Sequence, residues 1–257
     1  MNYGKMVACF HVGLILVMPV SRVVADDQQK KPARQIVKEE KKMGAVFAAE
    51  AQDRKPETAA ALPLYIPPKR AAPGDRVVGG TRGPEREVVV LFVLAPDHTG
   101  LTVKEQPSLY WFMSNPTSAP VELTVMDPRT TQPLLETRIL PPLQPGIHRI
   151  RLADQGIRLA RGVAYRWYVA IVPDPTRRSK DILAGGIVER IEPPEGLSAQ
   201  LAQADKESAV YIYAGAGLWY DAFEAISELV ESAPHDPVLA RQRASLIAQV
   251  GLPEIKD

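Results

Sequence analysis

Cysteine is almost absent from this sequence, since one residue, Cys9, occurs among 257. Cys9 lies within an N-terminal stretch that we expect to be removed, so the mature chain should carry no thiol. A chain without thiols has no disulfide framework, no cysteine nucleophile and no cysteine-ligated metal site. The scarcity of cysteine therefore excludes the classes of protein that depend on thiol chemistry.

Excess charge is also absent, with 31 Lys and Arg residues against 30 Asp and Glu residues. Such a chain has no overall field that would draw it to nucleic acid or to an anionic membrane. The 4 histidines include no pair with the spacing of zinc ligands. Neither a Gly-x-x-x-x-Gly-Lys phosphate loop nor a Gly-x-Ser-x-Gly nucleophile motif occurs. We therefore predict no cofactor, no metal, no nucleic-acid partner and no enzymatic activity.

The N-terminus has the pattern of a secretory signal peptide. Lys5 precedes an apolar run over residues 6–20, and a small-residue sequence that ends at Ala25 follows it. The run is shorter than the roughly 20 residues that span a bilayer, which favours cleavage after Ala25 over a membrane anchor. We therefore expect residues 1–25 to be a signal peptide. The protein should then be periplasmic or secreted, with no integral membrane span after cleavage.

Residues 26–75 differ in composition from the rest of the chain. They are rich in Lys, Glu, Ala and Pro and contain few aromatic residues. Such a segment cannot bury enough apolar surface to offset its conformational entropy. We predict that residues 26–75 form a disordered spacer, and that the folded part begins at Arg76.

Residues 76–193 contain seven segments with the pattern of β-strands. In residues 164–171, large apolar side chains alternate with smaller or polar ones, which places Tyr165 and Trp167 on the same face. The other segments lie at regular spacing with turn sequences between them, over residues 88–95, 108–114, 121–126, 134–140, 146–152 and 182–191. Seven strands separated by turns are typical of an immunoglobulin-like β-sandwich.

Two local features of these strands have structural interpretations. Tyr165 lies near the start of the sixth strand, where immunoglobulin-like folds often carry a tyrosine whose hydroxyl bonds back to the preceding loop. Gly185 and Gly186 interrupt the seventh strand. Glycines inside a strand mark either a bulge or a close approach of the backbone. Both features indicate packing rather than catalysis.

The period of the apolar residues changes from two to about 3.6 after the last strand, which indicates helices. We expect a first helix to begin at Ser198 and to continue through Tyr211. Asp236 and Pro237 have the pattern of the cap and the first residue of a last helix. Residues 194–257 are therefore predicted to form a tail of three helices.

The middle of this tail resembles a tetratricopeptide repeat. The resemblance is carried by residues 217–222, by Ile226 and Leu229, and by residues 234–237. Roughly one repeat is too few for an independent solenoid, which needs about three or more. We therefore expect the tail to pack on the β-sandwich, with Trp219 near their junction.

Several motifs occur in an order that resembles a known protein family. They read Arg-Val-Val-Gly-Gly-Thr-Arg-Gly, Gly-Leu-Thr, Pro-Ser-Leu-Tyr-Trp-Phe, Tyr-Arg-Trp and Gly-Leu-Trp-Tyr-Asp-Ala, at residues 76–83, 100–102, 107–112, 165–167 and 217–222. Together they resemble the domain-of-unknown-function 928 family, whose members are secreted proteins found mainly in cyanobacteria. The resemblance implies an extracytoplasmic protein and supplies no catalytic residues.

The candidate functional residues are more typical of interaction than of catalysis. Arg177, Arg178 and Lys180 form a basic turn in the last hairpin that could contact an anionic partner, although most such turns are simply solvated. Trp219 is a further candidate for contact with a partner. We predict a non-catalytic binding module of the cell envelope or periplasm that binds a protein or an envelope polymer. The alternatives are a hydrolase whose residues meet only in the fold and a purely structural envelope component.

Overall fold

The computed structural model describes residues 61–69, 76, 77, 79, 80 and 89–255. All of them belong to one compact unit, Ala59–Asp257. This unit is mainly β, and its helices follow the strands along the chain. The predicted signal peptide, residues 1–25, and most of the predicted spacer lie outside the described residues.

Nine strands and four helices occur in the described part of the chain. The strands are β1 (Gly79–Gly80), β2 (Val90–Val93), β3 (Gly100–Thr102), β4 (Ser108–Met113), β5 (Val121–Met126), β6 (Pro133–Ile139), β7 (Gly146–Arg151), β8 (Ala164–Ile171) and β9 (Ile182–Arg190). The helices are α1 (Leu197–Gln203), α2 (Lys206–Gly215), α3 (Trp219–Ser232) and α4 (Pro237–Gln249). All of the predicted strands are present, and β1 and β3 are short additions to them.

The strands form two sheets that share one hydrophobic core. The first sheet has the order β1-β2-β4-β7 and is antiparallel throughout. The second has the order β3-β9-β8-β5-β6 and is antiparallel except for the pair of β3 and β9. Strand β8 is therefore the central strand of the larger sheet.

Strand β8 has one apolar face and one mixed face, as its alternation predicts. Tyr165 and Trp167 lie in the core with exposed fractions of 2% and 0%. On the opposite face, Arg166 is exposed and Tyr168 is half-buried. Successive side chains of a strand point to opposite faces, so the mixed face forms the outside of the sheet. The predicted division of this strand is confirmed.

The predicted role of Tyr165 is also confirmed. Its hydroxyl accepts a hydrogen bond of 3.1 Å from the backbone N–H of Ala160, in the loop before β8.

The glycine pair in β9 marks a close approach and not a bulge, because β8 and β9 pair without a register shift. A Cβ at Gly186 would lie 3.0 Å from the Cβ of Ala95, which follows β2. The missing side chain therefore lets the two sheets approach each other closely.

The helical part contains four helices and not the predicted three. The expected helix from Ser198 through Tyr211 is divided, because Asp205 caps a new helix. The carboxylate of Asp205 accepts a 2.7 Å hydrogen bond from the backbone N–H of Ser208. An aspartate whose side chain satisfies the first N–H groups of a helix favours a new start over continuation. The first helix, α1, begins at Leu197 and ends before this cap.

The other helix boundaries agree with the predictions. Asp236 caps α4 by accepting a 2.8 Å hydrogen bond from the N–H of Val238, and Pro237 is the first residue of that helix. Gly217 lies in the turn between α2 and α3 with φ +74°, a conformation that favours glycine. Among the described residues, no helix has both the length and the apolar character needed to cross a membrane.

Helix α3 connects the helical part to both sheets. Trp219 Nε1 donates a 2.9 Å hydrogen bond to the carbonyl oxygen of Leu94, which follows β2 of the first sheet. The hydroxyl of Tyr220 donates to the carbonyl oxygen of Ile187 and accepts from Trp167 Nε1, both at 2.9 Å and both in the second sheet. The predicted place of Trp219 at the junction of tail and strands is confirmed.

The prediction of a disordered spacer is wrong for residues 61–69. This segment lies against the helices, and its Tyr65 side chain is 4% exposed. The backbone N–H of Tyr65 donates to Gln249 at 2.8 Å, and that of Ile66 donates to the carbonyl oxygen of Ala214 at 3.1 Å. The composition of the segment did not indicate this, because the contacts come from residues far along the chain.

Candidate binding surface

The outer face of the larger sheet carries an open groove across β5, β8 and β9. Its apolar part is lined by Met126, Tyr168 and Leu183, one residue from each strand. Tyr168 lies across Gly185, where a Cβ would come within 2.5 Å of the tyrosine ring. The absence of a side chain at Gly185 therefore lets the ring rest over the backbone of β9. Leu183 is 41% exposed, so this apolar surface is accessible to a partner.

A chain of ion pairs lines the charged part of the groove. Glu122 of β5 accepts a 2.6 Å hydrogen bond from Arg138 and another from Arg178. The hydrogen bonds from Arg178 and Arg138 lower the pKa of Glu122 below its usual value. Arg178 also reaches Asp181, with 2.9 Å between Nε and Oδ2. Two carboxylates and two guanidinium groups balance each other, so this surface favours neither strongly acidic nor strongly basic partners.

Asp181 has an unsatisfied acceptor beneath the surface of the groove. Its Oδ1 is buried and has no hydrogen-bond partner among the described residues. Burial raises the pKa of this carboxyl group, while the charge of Arg178 opposes the shift. A buried acceptor without a partner has a free-energy cost for the folded protein. The groove thus places one specific polar group beside apolar surface.

The predicted basic turn lies between β8 and β9, next to the groove. Arg177 pairs with Asp174, while Arg178 pairs with two carboxylates of the groove. Lys180 is exposed in the same turn. The structure therefore brings Arg178 into the groove and leaves Arg177 and Lys180 beside it.

Trp219 does not form part of a surface for a partner. Its side chain is 0% exposed. It stacks on Phe223 with ring centroids 5.6 Å apart and meets Tyr65 edge-on at 5.2 Å. The predicted interaction role of Trp219 is wrong, because the residue is enclosed by the fold that it stabilises.

A second polar cluster is buried where α3 meets the strands. Asp221 is 0% exposed, and its Oδ2 accepts a 3.1 Å hydrogen bond from the N–H of Val103. Glu224 accepts a 2.9 Å hydrogen bond from the hydroxyl of Ser108 and lies 3.2 Å from Lys104 Nζ. Burial raises the pKa of Asp221 to about 6. These contacts anchor the helix to the segment that joins β3 and β4.

Two of the histidines make their hydrogen bonds within the fold. Nδ1 of His98 lies 2.9 Å from the carbonyl oxygen of Thr99, and its Nε2 lies 3.4 Å from the hydroxyl of Tyr65. Nε2 of His148 lies 2.8 Å from the carbonyl oxygen of Gln144. In the part of the chain that the structure describes, no group of three or more His, Cys, Asp and Glu side chains could hold a metal ion.

Sequence patterns did not single out the groove. Glu122, Tyr168 and Leu183 are ordinary strand residues, and only the pairing of β5, β8 and β9 brings them together. The usable signal was the alternation in β8, which marks Arg166 and Tyr168 as its outer face.

Comparison with protein-family models places most of the chain in a single family. The model described as Domain of Unknown Function (DUF928) matches residues 77–257, which include the groove, the basic turn and the helices. A comparison with curated proteins found no match. Since the family model covers well over half of the sequence, this chain belongs to the DUF928 family.

Proposed function

We propose that the protein is a non-catalytic binding module that takes a protein or an envelope polymer on the outer face of its larger sheet. The observation that carries the proposal is the open groove, where the exposed apolar side chain of Leu183 adjoins the ion-paired side chains of Glu122 and Arg178. Aromatic residues, Met and Arg are enriched at protein interfaces. Because Tyr168, Met126 and Arg178 line the groove, its composition favours a protein partner.

We infer an immunoglobulin-like sandwich from the strand order. Strands β2, β4 and β7 correspond to strands A, B and E of that fold, and β9-β8-β5-β6 corresponds to G, F, C and C′. Tyr165 supports this, since its hydrogen bond to Ala160 is that of the tyrosine corner near the start of strand F. Such folds host many functions, so the functional argument rests on the groove and not on the fold.

We propose that α2, α3 and α4 form a tetratricopeptide-like tail. Consecutive helices of this set contact each other, with Gly217 in the first turn and Pro237 at the start of the last helix. A single repeat cannot bury its apolar face alone. Helix α3 lies against β3 and β4, which supports the idea that the strands take the place of a neighbouring repeat.

The hydrogen bonds of His98 and His148 support the non-catalytic part of the proposal. Each ring contacts a backbone carbonyl oxygen. A hydrolase of the Ser-His-Asp type instead needs a histidine within reach of both a nucleophile and an orienting carboxylate. The alternative of a hydrolase would require such a set elsewhere in the chain.

Replacing Leu183 with Glu is expected to abolish partner capture through the groove. The substitution places a new carboxylate in the apolar part of the surface, which a bound partner would bury, and burying a charge at an apolar contact is strongly unfavourable. The mature chain would be used to capture partners from envelope extracts of the source organism. We expect recovery of the partner, quantified by mass spectrometry, to fall by at least about tenfold.

Leu140→Glu is the matched control, because Leu140 is 73% exposed and lies outside the groove. A partner recovered by the unmodified chain and by Leu140→Glu, but lost with Leu183→Glu, supports the proposal. Equal recovery by all three chains, with equal melting temperatures, would contradict it.

We further propose that the protein is exported and acts in the periplasm or outside the cell. The proposal is supported by the sequence pattern of residues 1–25, which lie outside the described residues. Cleavage after Ala25 predicts an exported chain that begins at Asp26. N-terminal sequencing of the protein from the periplasmic and secreted fractions measures this. Recovery of a chain that retains Met1 would contradict cleavage.

A further inference from the structure

We propose that the surface between α2 and α4 is a recognition site for an extended peptide, occupied in this chain by residues 61–66. The ligand class is a peptide in an extended conformation that carries proline two residues before tyrosine. The site is separate from the groove on the larger sheet, and the proposal does not depend on the function of that groove.

The side chain of Gln249 recognises the main chain of the segment. Its Nε2 donates a 2.8 Å hydrogen bond to the carbonyl oxygen of Pro63, and its Oε1 accepts a 2.8 Å hydrogen bond from the N–H of Tyr65. A neighbouring β-strand offers a donor and an acceptor in the same way. One glutamine amide thus replaces a strand as the partner of an extended backbone, and both of these hydrogen bonds are to main-chain groups.

Two more hydrogen bonds hold the ends of the segment. The hydroxyl of Tyr211 on α2 donates to the carbonyl oxygen of Ala61. The N–H of Ile66 donates at 3.1 Å to the carbonyl oxygen of Ala214, in the last turn of α2. Ala214 O also accepts a 3.0 Å hydrogen bond from the N–H of Gly217, and a carbonyl oxygen has two lone pairs, so the segment takes its second acceptor site. The groups that bind the segment therefore come from both helices.

The side chains of the segment alternate between buried and exposed. Pro63 and Tyr65 are buried, whereas Leu62, Leu64 and Ile66 are exposed by 48%, 66% and 52%. This period of two is typical of an extended chain. Specificity therefore resides at the two buried positions, and the three outward positions tolerate substitution.

Tyr65 occupies a pocket with aromatic walls. Its ring meets Trp219 edge-on at 5.2 Å and lies parallel to His98, with centroids 6.0 Å apart. Its hydroxyl lies 3.4 Å from Nε2 of His98, which gives the ring a polar contact at its tip. A tyrosine with an apolar body and a partnered hydroxyl is an efficient anchor for a peptide.

The turn between α2 and α3 leaves room for the backbone of the segment to come close to Gly217. A Cβ at Gly217 would lie 2.8 Å from the carbonyl oxygen of Ile66, and the φ of Gly217 is +74°. Both observations require glycine, the first because of the segment and the second because of the turn. The backbone of the segment can therefore pass this turn only because residue 217 has no side chain.

Tyr65 reaches the hydrophobic core, but the rest of the segment has the contacts of a bound ligand and not of a core strand. Its three large apolar side chains face outward, and its binding rests on main-chain hydrogen bonds and two anchors. A peptide from another chain with the same anchors can make the same contacts. Covalent linkage gives the chain's own segment an effective concentration on the order of millimolar, so a competitor binds readily only when that segment is weakened.

The first test uses the mature chain with the substitution Tyr65→Ala, which removes the main side-chain anchor of its own segment. The probe is a fluorescently labelled synthetic peptide with the sequence of residues 61–69, Ala-Leu-Pro-Leu-Tyr-Ile-Pro-Pro-Lys. Fluorescence anisotropy should show saturable binding to the Tyr65→Ala chain. Apparent binding to the unmodified chain should be at least about tenfold weaker, because its own segment occupies the site.

Two controls assign the binding to this site. A peptide with Ala in place of its tyrosine should bind at least about tenfold more weakly, because it lacks the buried anchor. Adding Gln249→Ala to the Tyr65→Ala chain should abolish binding. Adding Gln155→Ala, at an exposed glutamine between β7 and β8, should leave binding unchanged.

Hydrogen–deuterium exchange supplies a second measurement that does not require Tyr65→Ala to fold. In a chain that carries only Gln249→Ala, the amides of Tyr65 and Ile66 should exchange at least about tenfold faster, with no change in β8. The proposal is overturned if the folded Tyr65→Ala chain does not bind the peptide, or if Gln249→Ala leaves that binding intact. It is also overturned if these two amides exchange only together with β8, because the segment would then belong to the cooperative core.

Discussion

Replacing Trp219 with Ala is expected to lower the free energy of unfolding by about 3–5 kcal/mol, the usual cost of truncating a buried aromatic residue. The side chain is fully buried, so the substitution leaves a cavity at the junction of α3 and the strands. It also removes the donor of the 2.9 Å hydrogen bond to the carbonyl oxygen of Leu94. The loss is a large share of the ~5–15 kcal/mol by which a typical protein is stable.

Urea unfolding followed by two signals measures how much stability is lost and whether the helices and the strands lose it together. Circular dichroism reports the helices. Tryptophan fluorescence reports Trp111 and Trp167 in the two sheets, to which the unmodified protein adds Trp219 of α3, so Trp219→Phe gives the signal of the sheets alone. Because α3 bonds to both sheets, the two transitions should coincide and should shift together in Trp219→Ala. Two well-separated transitions in the unmodified protein would show that helices and strands unfold independently.

Trp219→Phe separates the hydrogen bond from the packing. Phenylalanine keeps an aromatic ring against Phe223 but leaves the carbonyl oxygen of Leu94 without its donor. We expect a smaller loss of about 1–3 kcal/mol, the cost of an unsatisfied buried acceptor. Equal losses for the two variants would assign the effect to the hydrogen bond and not to the cavity.

Lowering the pH from 7 to about 4.5 is expected to stabilise the protein through Asp221. The pKa of Asp221 is about 6 in the folded protein, mainly because of burial, and about 3.9 in an unfolded chain. The folded state therefore binds the proton more tightly. The resulting stabilisation is fully present below the unfolded pKa and is lost as the pH rises through about 6. Its size is on the order of 2–3 kcal/mol, at about 1.4 kcal/mol for each unit of pKa difference.

The groups around Asp221 set the sign of this effect. Burial raises its pKa and the charge of Glu224 adds to the increase, whereas Thr102, Lys104 and the N–H of Val103 oppose it. Since burial is the largest cause, the carboxylate is less favourable in the fold than the carboxylic acid. Neutralising Asp221 should therefore relieve a cost that the folded protein bears at neutral pH.

Asp221→Asn tests this directly, because asparagine keeps an acceptor for the N–H of Val103 and does not titrate. Urea unfolding at pH 7 and at pH 4.5 gives the pH dependence of each protein. Asp127, whose pKa Arg129 lowers to about 2, contributes with the opposite sign, but it does so in both proteins. Because pH 4.5 lies above the unfolded pKa, the pH dependence of Asp221→Asn should fall short of the unmodified protein's by about 2 kcal/mol. Identical pH dependence in the two proteins would contradict the assignment.

Local patterns were enough to predict the elements that depend on neighbouring residues. The alternation in β8 placed Tyr165 and Trp167 inward, because successive side chains of any strand take opposite faces whatever the strand pairs with. The cap at Asp236 needed only the N–H groups of the next few residues. The missed cap at Asp205 is of the same local kind, but the apolar period continued across it and concealed it.

Features that join distant parts of the chain were decided by the tertiary structure alone. Burial of Trp219 depends on which strands α3 meets, and an aromatic residue at a helix start has the same pattern whether it is a core residue or a surface anchor. The groove depends on the pairing of β5, β8 and β9.

The segment 61–69 shows the limit of composition most clearly. Its hydrogen bond between Tyr65 and Gln249 joins residues 184 positions apart. The composition of residues 26–75 predicts that the segment cannot bury much apolar surface by itself. It does not predict whether the segment packs on a surface formed by another part of the chain. By itself the sequence determined the signal pattern, the strands, most helix ends and the family, because these depend on nearby residues. Which residues are buried and which stay accessible was decided by contacts between distant residues, and the local periodicity of the sequence does not show such contacts.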